Sequence, residues 1–252
     1  MLKTLVQAAV LRFGYTIVSR AQVFRQTSYI RINSRRLEHL ASLRIPIAGM
    51  TVLEVGAGIG DLSSYYADRG NPITITEGRE ENLALVHRYY PKDEYPHVEI
   101  RPLDMEEPTL LPNAPFDLIH CYGLLYHLRK AERAIAYMSE SCKRLLLLET
   151  CVSYGSEELT HLLHEPSYDP TQAMSGTGCR PTRSWIFSQL KRHFEYVYVP
   201  RTQPNHREFP IDWTTPPPEP GPLTRAIFIA SRESLHNALL SGELLDHQIR
   251  HE

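Results

Sequence analysis

The four cysteines of this 252-residue sequence form no CxxC pair and have no histidine partners at zinc-ligand spacing, which argues against a disulfide framework or a structural zinc site. No GxxxxGK phosphate loop occurs, and no internal repeat is visible. The sequence also lacks an apolar run of the roughly 20 residues that a membrane-spanning helix needs. Residues 4–18 come nearest and are interrupted by Arg12. Neither charge dominates, with 27 Lys/Arg against 29 Asp/Glu. These absences lead to the expectation of a cytoplasmic, soluble chain without a transmembrane segment, as a monomer or homodimer.

The near-neutral total hides an uneven distribution. Residues 1–50 hold eight Lys/Arg and a single acid, Glu38, which leaves 19 bases facing 28 acids in the rest. A basic first fifth is compatible with contact to RNA or a membrane surface, or with a local structural role. With 42% hydrophobic residues the chain can bury a sizeable core.

Hydrophobic periodicity divides the chain. Leu2, Leu5, Val6, Ala9 and Val10 recur at helical spacing, and residues 32–43 repeat the pattern through Leu37, Leu40 and Leu43. These two helices predict an N-terminal cap over residues 1–49. From residue 50, short β-branched and aliphatic runs (51–55, 73–76, 98–101, 116–121, 144–151) alternate with helical stretches near 62–68, 79–89 and 130–142. Such alternation predicts an α/β domain with a parallel sheet covered on both faces, spanning residues 50–233. A helix near 183–191 and strands at 194–200 and 224–231 follow. The irregular segment 152–182 and the proline-rich segment 202–222 both leave strand C-terminal ends, so both are expected to roof a site there. Residues 234–252 read as a polar helix or tail.

The most informative segment is Leu53-Glu54-Val55-Gly56-Ala57-Gly58-Ile59-Gly60-Asp61. A strand enters a tight turn whose glycines let the backbone approach a ligand, and helix pattern follows. The third glycine comes one residue too early for the dinucleotide fingerprint GxGxxG. Further acids close the next two strands: Glu77, 17 residues after Gly60, and Asp104 before Met105. Three acids beside a glycine turn disfavour a pyrophosphate. They suit a nucleoside bearing an amine and a positive centre.

This constellation resembles the class I S-adenosylmethionine-dependent methyltransferases. Glu54, Gly56, Ala57, Gly58 and Gly60 look like their first motif, Glu77 with Gly78 like their ribose-binding acid, and Asp104 with Met105 like the adenine side. Residues 116–121 look like their fourth strand, with Cys121 and Tyr122 at its cofactor end. The resemblance implies S-adenosylmethionine as cofactor and a Rossmann-like seven-stranded methyltransferase sheet with an antiparallel last strand at residues 224–231. A narrower likeness, Tyr122-Gly123-Leu124-Leu125-Tyr126-His127-Leu128 followed by Leu147-Leu148-Glu149-Thr150, is to the tRNA wobble-uridine carboxymethyltransferases and to glycan and natural-product methyltransferases. Without the long RNA-binding extension of the former, ordinary methyl transfer is the expectation.

Transfer from a sulfonium needs in-line alignment and exclusion of water, and an alcohol acceptor gains from a general base. His127, after the fourth strand, is the candidate base. Tyr126, Glu149, Arg180, Arg183 and Trp213 are candidate acceptor-binding residues, the arginines because guanidinium groups suit an anionic or polyhydroxylated ligand. His161-Leu162-Leu163-His164-Glu165 does not match a metal-binding motif and reads as a polar surface segment, so no metal is expected. Tyr29, Arg31 and Asn33 of the cap are candidates to cover the cofactor pocket. The expected function is S-adenosylmethionine-dependent O-methylation of a small polar metabolite or glycan-type acceptor. An RNA methyltransferase using the basic N-terminal region and a catalytically silent binding protein are the alternatives.

Overall fold

The computed structural model describes residues 20–218 and 221–252. The first predicted helix of the cap, around Leu2 to Val10, lies outside the described residues.

In chain order the elements are α1 (Arg20–Val23), α2 (Thr27–Ser42), β1 (Val52–Val55), α3 (Ser64–Ala67), β2 (Ile73–Glu77), α4 (Glu80–Tyr89), β3 (Val98–Pro102), β4 (Phe116–Tyr122), a 3-10 turn (Leu125–His127), α5 (Ala131–Glu140) and β5 (Cys142–Cys151). Then come β6 (Thr160–His164), β7 (Thr177–Pro181), α6 (Arg183–His193), β8 (Tyr196–Pro200), β9 (Thr202–Gln203), β10 (Arg225–Ser231), β11 (Leu240–Ser241) and β12 (Ile249–Arg250).

The main sheet runs β11-β8-β10-β5-β4-β1-β2-β3. Strands β5, β4, β1, β2 and β3 are mutually parallel, and β10 runs antiparallel to both β5 and β8. The antiparallel strand expected near residue 224 is therefore present. The sheet has eight strands rather than seven, because Leu240–Ser241 adds an edge against Val199 and Pro200. The centre is buried on both faces: Val52 to Val55 and Leu145 to Cys151 are buried throughout, as continuous apolar runs require in a doubly covered parallel sheet.

Two sequence expectations fail for local reasons. The helix expected over 62–68 shrinks to the four residues of α3, within a stretch rich in Ser and Tyr that ends at Gly70 with φ +74°. Residues 234–252 form no helix. Asn237 and Ser241 turn their side chains onto the backbone N–H groups of Leu239 and Glu243, a competitor to helical bonding. Sheet edges take up the rest, with β12 pairing β9.

The segment 152–182, expected to be irregular, folds as an antiparallel hairpin, β6 with β7, around the loop 165–176. That loop is fastened over the glycine turn: the Arg79 guanidinium donates to the carbonyls of Ser167 (3.1 Å) and Gln172 (3.0 Å). The proline-rich segment is held from below, where Arg250 Nη1 donates to the carbonyls of Pro204, His206 and Phe209. Thr171 and Gln172 of the first segment and Glu208 of the second line a cavity together with the glycine turn. Helix α2 closes a third side and buries Ile32, Asn33, Arg36, His39 and Leu40, one face at helical spacing on which polar residues outnumber apolar ones.

Candidate active site

Strand β1 delivers the chain into a turn in which Gly56, Gly58 and Gly60 all have positive φ (+66°, +60° and +84°). At Gly56 the backbone angle calls for glycine, and a Cβ atom there would also push on the Leu124 side chain, 2.6 Å from its Cδ1. At the end of β2, Glu77 accepts the N–H of Gly58 on Oε2 (2.9 Å) and that of Arg79 on Oε1 (2.9 Å). Burial raises its pKa above the ordinary glutamate value, although those N–H groups pull the other way. Asp104, beyond β3, accepts the N–H of Glu106 on Oδ1 (2.9 Å). Gly56, Gly58, Glu77, Gly78, Asp104 and Met105 line one cavity, so three strand ends bring these predicted residues together.

A second, wider chamber of about 420 Å³ shares Gly56, Gly58, Tyr29 and Gly123 with the first. Ala57, Tyr122, Tyr126 and Arg180 line it. Helix α2 contributes Tyr29, Asn33 and Arg36, whose spacing puts them on one face. Tyr29 and Asn33 thus stand where the cap was expected to act, whereas Arg31 is exposed and lines neither chamber.

Behind this chamber lies a buried charge network. Arg36 Nη2 donates to Glu149 Oε2 (2.8 Å) and Arg225 Nη1 to Glu149 Oε1 (3.1 Å), so two guanidinium groups hold one carboxylate. Arg225 also donates through Nε to Glu208 Oε2 (2.7 Å) and through Nη2 to the Tyr126 hydroxyl (3.2 Å). Burial pushes the Tyr126 phenol pKa up, which keeps it protonated and able to donate.

His127 lines the cavity of Glu77 and Asp104 and does not line this chamber. Its Nδ1 is 2.5 Å from Glu165 Oε2. The polar-surface reading of residues 161–165 therefore holds for His161 and His164, which are exposed, and fails for Glu165, which is buried.

Other expected site residues lie outside the two chambers. Glu54 is buried behind the glycine turn, where it accepts from Ser63 Oγ and pairs with His120 Nδ1 (3.2 Å). Cys121 and Glu149 are fully buried. Gly60 completes the turn through its N–H to the Ala57 carbonyl (2.9 Å). Arg183 and Trp213 line a separate cleft: the guanidinium stacks on the indole at 4.1 Å, and Trp213 Nε1 donates to Gln248 (2.7 Å). Their partners make them fasteners between the lid and the C-terminal segment.

Sequence reasoning missed Arg36, Glu165, Glu208 and Arg225. Arg36 had a signal, seven residues after Tyr29 and three after Asn33 on the face that carries both. The other three come from lids or from a strand start whose neighbours only the fold supplies.

Nothing in the chambers conflicts with S-adenosylmethionine. Acids stand at one end, for ribose hydroxyls and an amino group. At the other end, Arg36 Nε and Tyr122 Oη are buried without hydrogen-bond partners among the described residues. A guanidinium and a phenol suit a carboxylate, and between the two ends lies the glycine turn with its positive φ angles.

Residues 52–145 match the family model described as a methyltransferase domain. Among curated proteins, the ubiquinone biosynthesis O-methyltransferase of Xylella fastidiosa (strain 9a5c) is 32% identical over 115 residues, 46% of this chain and 44% of that protein. The same-named enzyme of Bordetella avium (strain 197N) is 31% identical over 96 residues, 38% of this chain and 39% of that protein. The chain therefore matches less than half the length of these relatives. Among solved structures, the N-terminal domain of EvdMO1 in the presence of SAH and D-fucose aligns with TM-score 0.62 and 21% identity, over 79% of this chain and 82% of that one. The glycopeptide N-methyltransferase MtfA aligns with TM-score 0.51 and 19% identity, over 79% and 89%. These likenesses show the fold. Residues 52–145 thus form a methyltransferase domain of Rossmann-like fold, the kind that uses S-adenosylmethionine.

Proposed function

We propose that the chain binds S-adenosylmethionine across the two chambers and methylates a hydroxyl group of a small polar or glycan-type acceptor. The observation that carries this reading is the continuity of the nucleoside cavity with a chamber ringed by Arg36, Tyr126, Arg180, Glu208 and Arg225. When bound, the cofactor supplies an electrophilic methyl group on a positively charged sulfur.

The residues of this chain bind, orient and take a proton. Glu77 accepts from the ribose hydroxyls, Asp104 faces the base, and Arg36 with Tyr122 receives the amino-acid carboxylate. The lids exclude water, which would otherwise compete for hydrogen bonds at the reacting oxygen. Tyr126 and Arg180 hold the acceptor by donating hydrogen bonds. Glu208 has one oxygen fixed by Arg225, while Oε1 makes no hydrogen bond among the described residues. That oxygen orients the acceptor hydroxyl and takes its proton as the new O–CH3 bond forms.

The EvdMO1 domain of similar fold was crystallised in the presence of D-fucose, which supports a sugar-like acceptor. So does the fate of the basic N-terminal region. Arg25 pairs with Asp61 (3.1 Å), Arg35 with Glu38 (2.5 Å) and Arg36 with Glu149, so three of its charges have partners within the chain, and that of Arg36 is buried away from any phosphate.

The test is incubation with methyl-labelled S-adenosylmethionine and fractionated extracts. Label in small polar or saccharide fractions, stable to base as an ether is, supports the reading. Label confined to RNA overturns it.

A further inference from the structure

His127 is the residue whose surroundings depart furthest from its expected role. It lines the nucleoside cavity beside Asp104 and Met105, and its Nδ1 is engaged by Glu165 Oε2 at 2.5 Å. Glu165 is itself fixed. The same oxygen accepts the Ala173 N–H (2.9 Å), Oε1 lies 3.4 Å from Arg180 Nη1, and the Glu165 backbone N–H donates to the Gly176 carbonyl (3.0 Å). An ionised carboxylate that accepts from Ala173 can only accept from His127 as well, so the imidazole proton sits on Nδ1. That leaves Nε2, which makes no hydrogen bond among the described residues, as a lone-pair acceptor for the cavity.

Another polar group lining this cavity has the same character. Asp104 has Oδ1 bound to the Glu106 N–H, and Oδ2 makes no hydrogen bond among the described residues. The neighbouring cation, Arg79, has its Nη2 committed to two loop carbonyls. Two acceptors lining one cavity match a group with two N–H donors, which is the exocyclic amine of adenine. A 6-oxopurine would present a carbonyl oxygen there, leaving an acceptor facing an acceptor.

We propose that His127 is a specificity residue that reads the adenine amino group through Nε2, in a tautomer set by Glu165 of the lid. The inference rests on the cofactor reading above and assigns a role within it. It also gives the lid a function, because the residue that fixes the tautomer belongs to the segment that closes over the nucleoside. Burial lowers the His127 pKa, with Glu165 opposing and Arg225 and Arg180 reinforcing the shift, so the ring is neutral near pH 7, as an acceptor must be.

Titration calorimetry with S-adenosylhomocysteine and S-inosylhomocysteine tests the assignment. The wild-type chain is expected to favour the adenine compound by at least about tenfold, one well-made buried hydrogen bond. In His127→Ala the preference falls severalfold, through weaker binding of the adenine compound, and the part that remains is that of Asp104. Glu165→Gln, whose amide oxygen can still accept from Nδ1, retains the full preference, and Glu165→Ala falls as His127→Ala does. Nitrogen-15 shifts of the wild-type imidazole, assigned by their loss in His127→Gln, should report Nδ1–H. An unchanged preference in His127→Ala, or a wild-type proton on Nε2, overturns the assignment alone. Failure of the wild-type chain to bind either compound overturns the cofactor reading and the assignment with it.

Discussion

Arg36 and Glu149, 113 positions apart, form an ion pair of 2.8 Å in which both side chains are almost wholly buried. The pair ties helix α2 to the end of β5, beside the wider chamber. The cap is thereby part of the domain's electrostatic core.

Because Arg225 holds the other oxygen of Glu149, removing that charge leaves Arg36 without a carboxylate partner and Arg225 with Glu208 alone. Glu149→Gln should cost about 3 to 5 kcal/mol of stability, the range for breaking a buried pair. Urea unfolding measures it, and an unchanged midpoint would show that the network contributes nothing to the fold.

Glu208 is assigned the acceptor's proton. Glu208→Gln should lower kcat by about 100- to 10,000-fold, the usual contribution of a general base, while S-adenosylhomocysteine binds as before. Equal losses in turnover and cofactor affinity would point to a structural role through Arg225.

His39, on the buried face of α2, contacts Thr202 through Nε2 (2.9 Å to the hydroxyl, 3.1 Å to the carbonyl), while Nδ1 is buried without a partner among the described residues. Burial lowers its pKa to about 4, the Thr202 carbonyl opposes, and nearby His251 adds to the lowering. Unfolded, the imidazole titrates near 6.5. Between those values the unfolded chain binds more protons, so this contribution to stability is complete above about pH 6.5. It declines as pH falls toward 4, by up to about 3 kcal/mol. Thermal unfolding of wild type and His39→Gln across that range should show a steeper loss in the wild type. Parallel curves would mean that His39 titrates normally.

Much of this architecture was legible in the sequence. The β1 to β5 strands and the acids Glu77 and Asp104 could be placed because period and glycine spacing are local signals. The 3-10 turn also carried His127 and Tyr126 to the right edge. What separates their roles is non-local: Glu165 reaches His127 from a hairpin 38 residues on, and Arg225 reaches Tyr126 from the antiparallel strand. Arg183 and Trp213 had suitable chemistry for an acceptor but satisfy one another in a different cleft. Residues 234–252 misled because their polar pattern resembles a surface helix, while sheet-edge pairing took their backbone.

The central claim is that Glu77 and the glycine turn hold the nucleoside of S-adenosylmethionine. Calorimetric titration of S-adenosylhomocysteine into wild type and Glu77→Ala tests it most directly. The account predicts one-to-one binding by the wild-type chain and affinity reduced by about 10- to 100-fold in the variant, as expected on losing charge-assisted hydrogen bonds. No binding by wild type, or full affinity in Glu77→Ala, would contradict it.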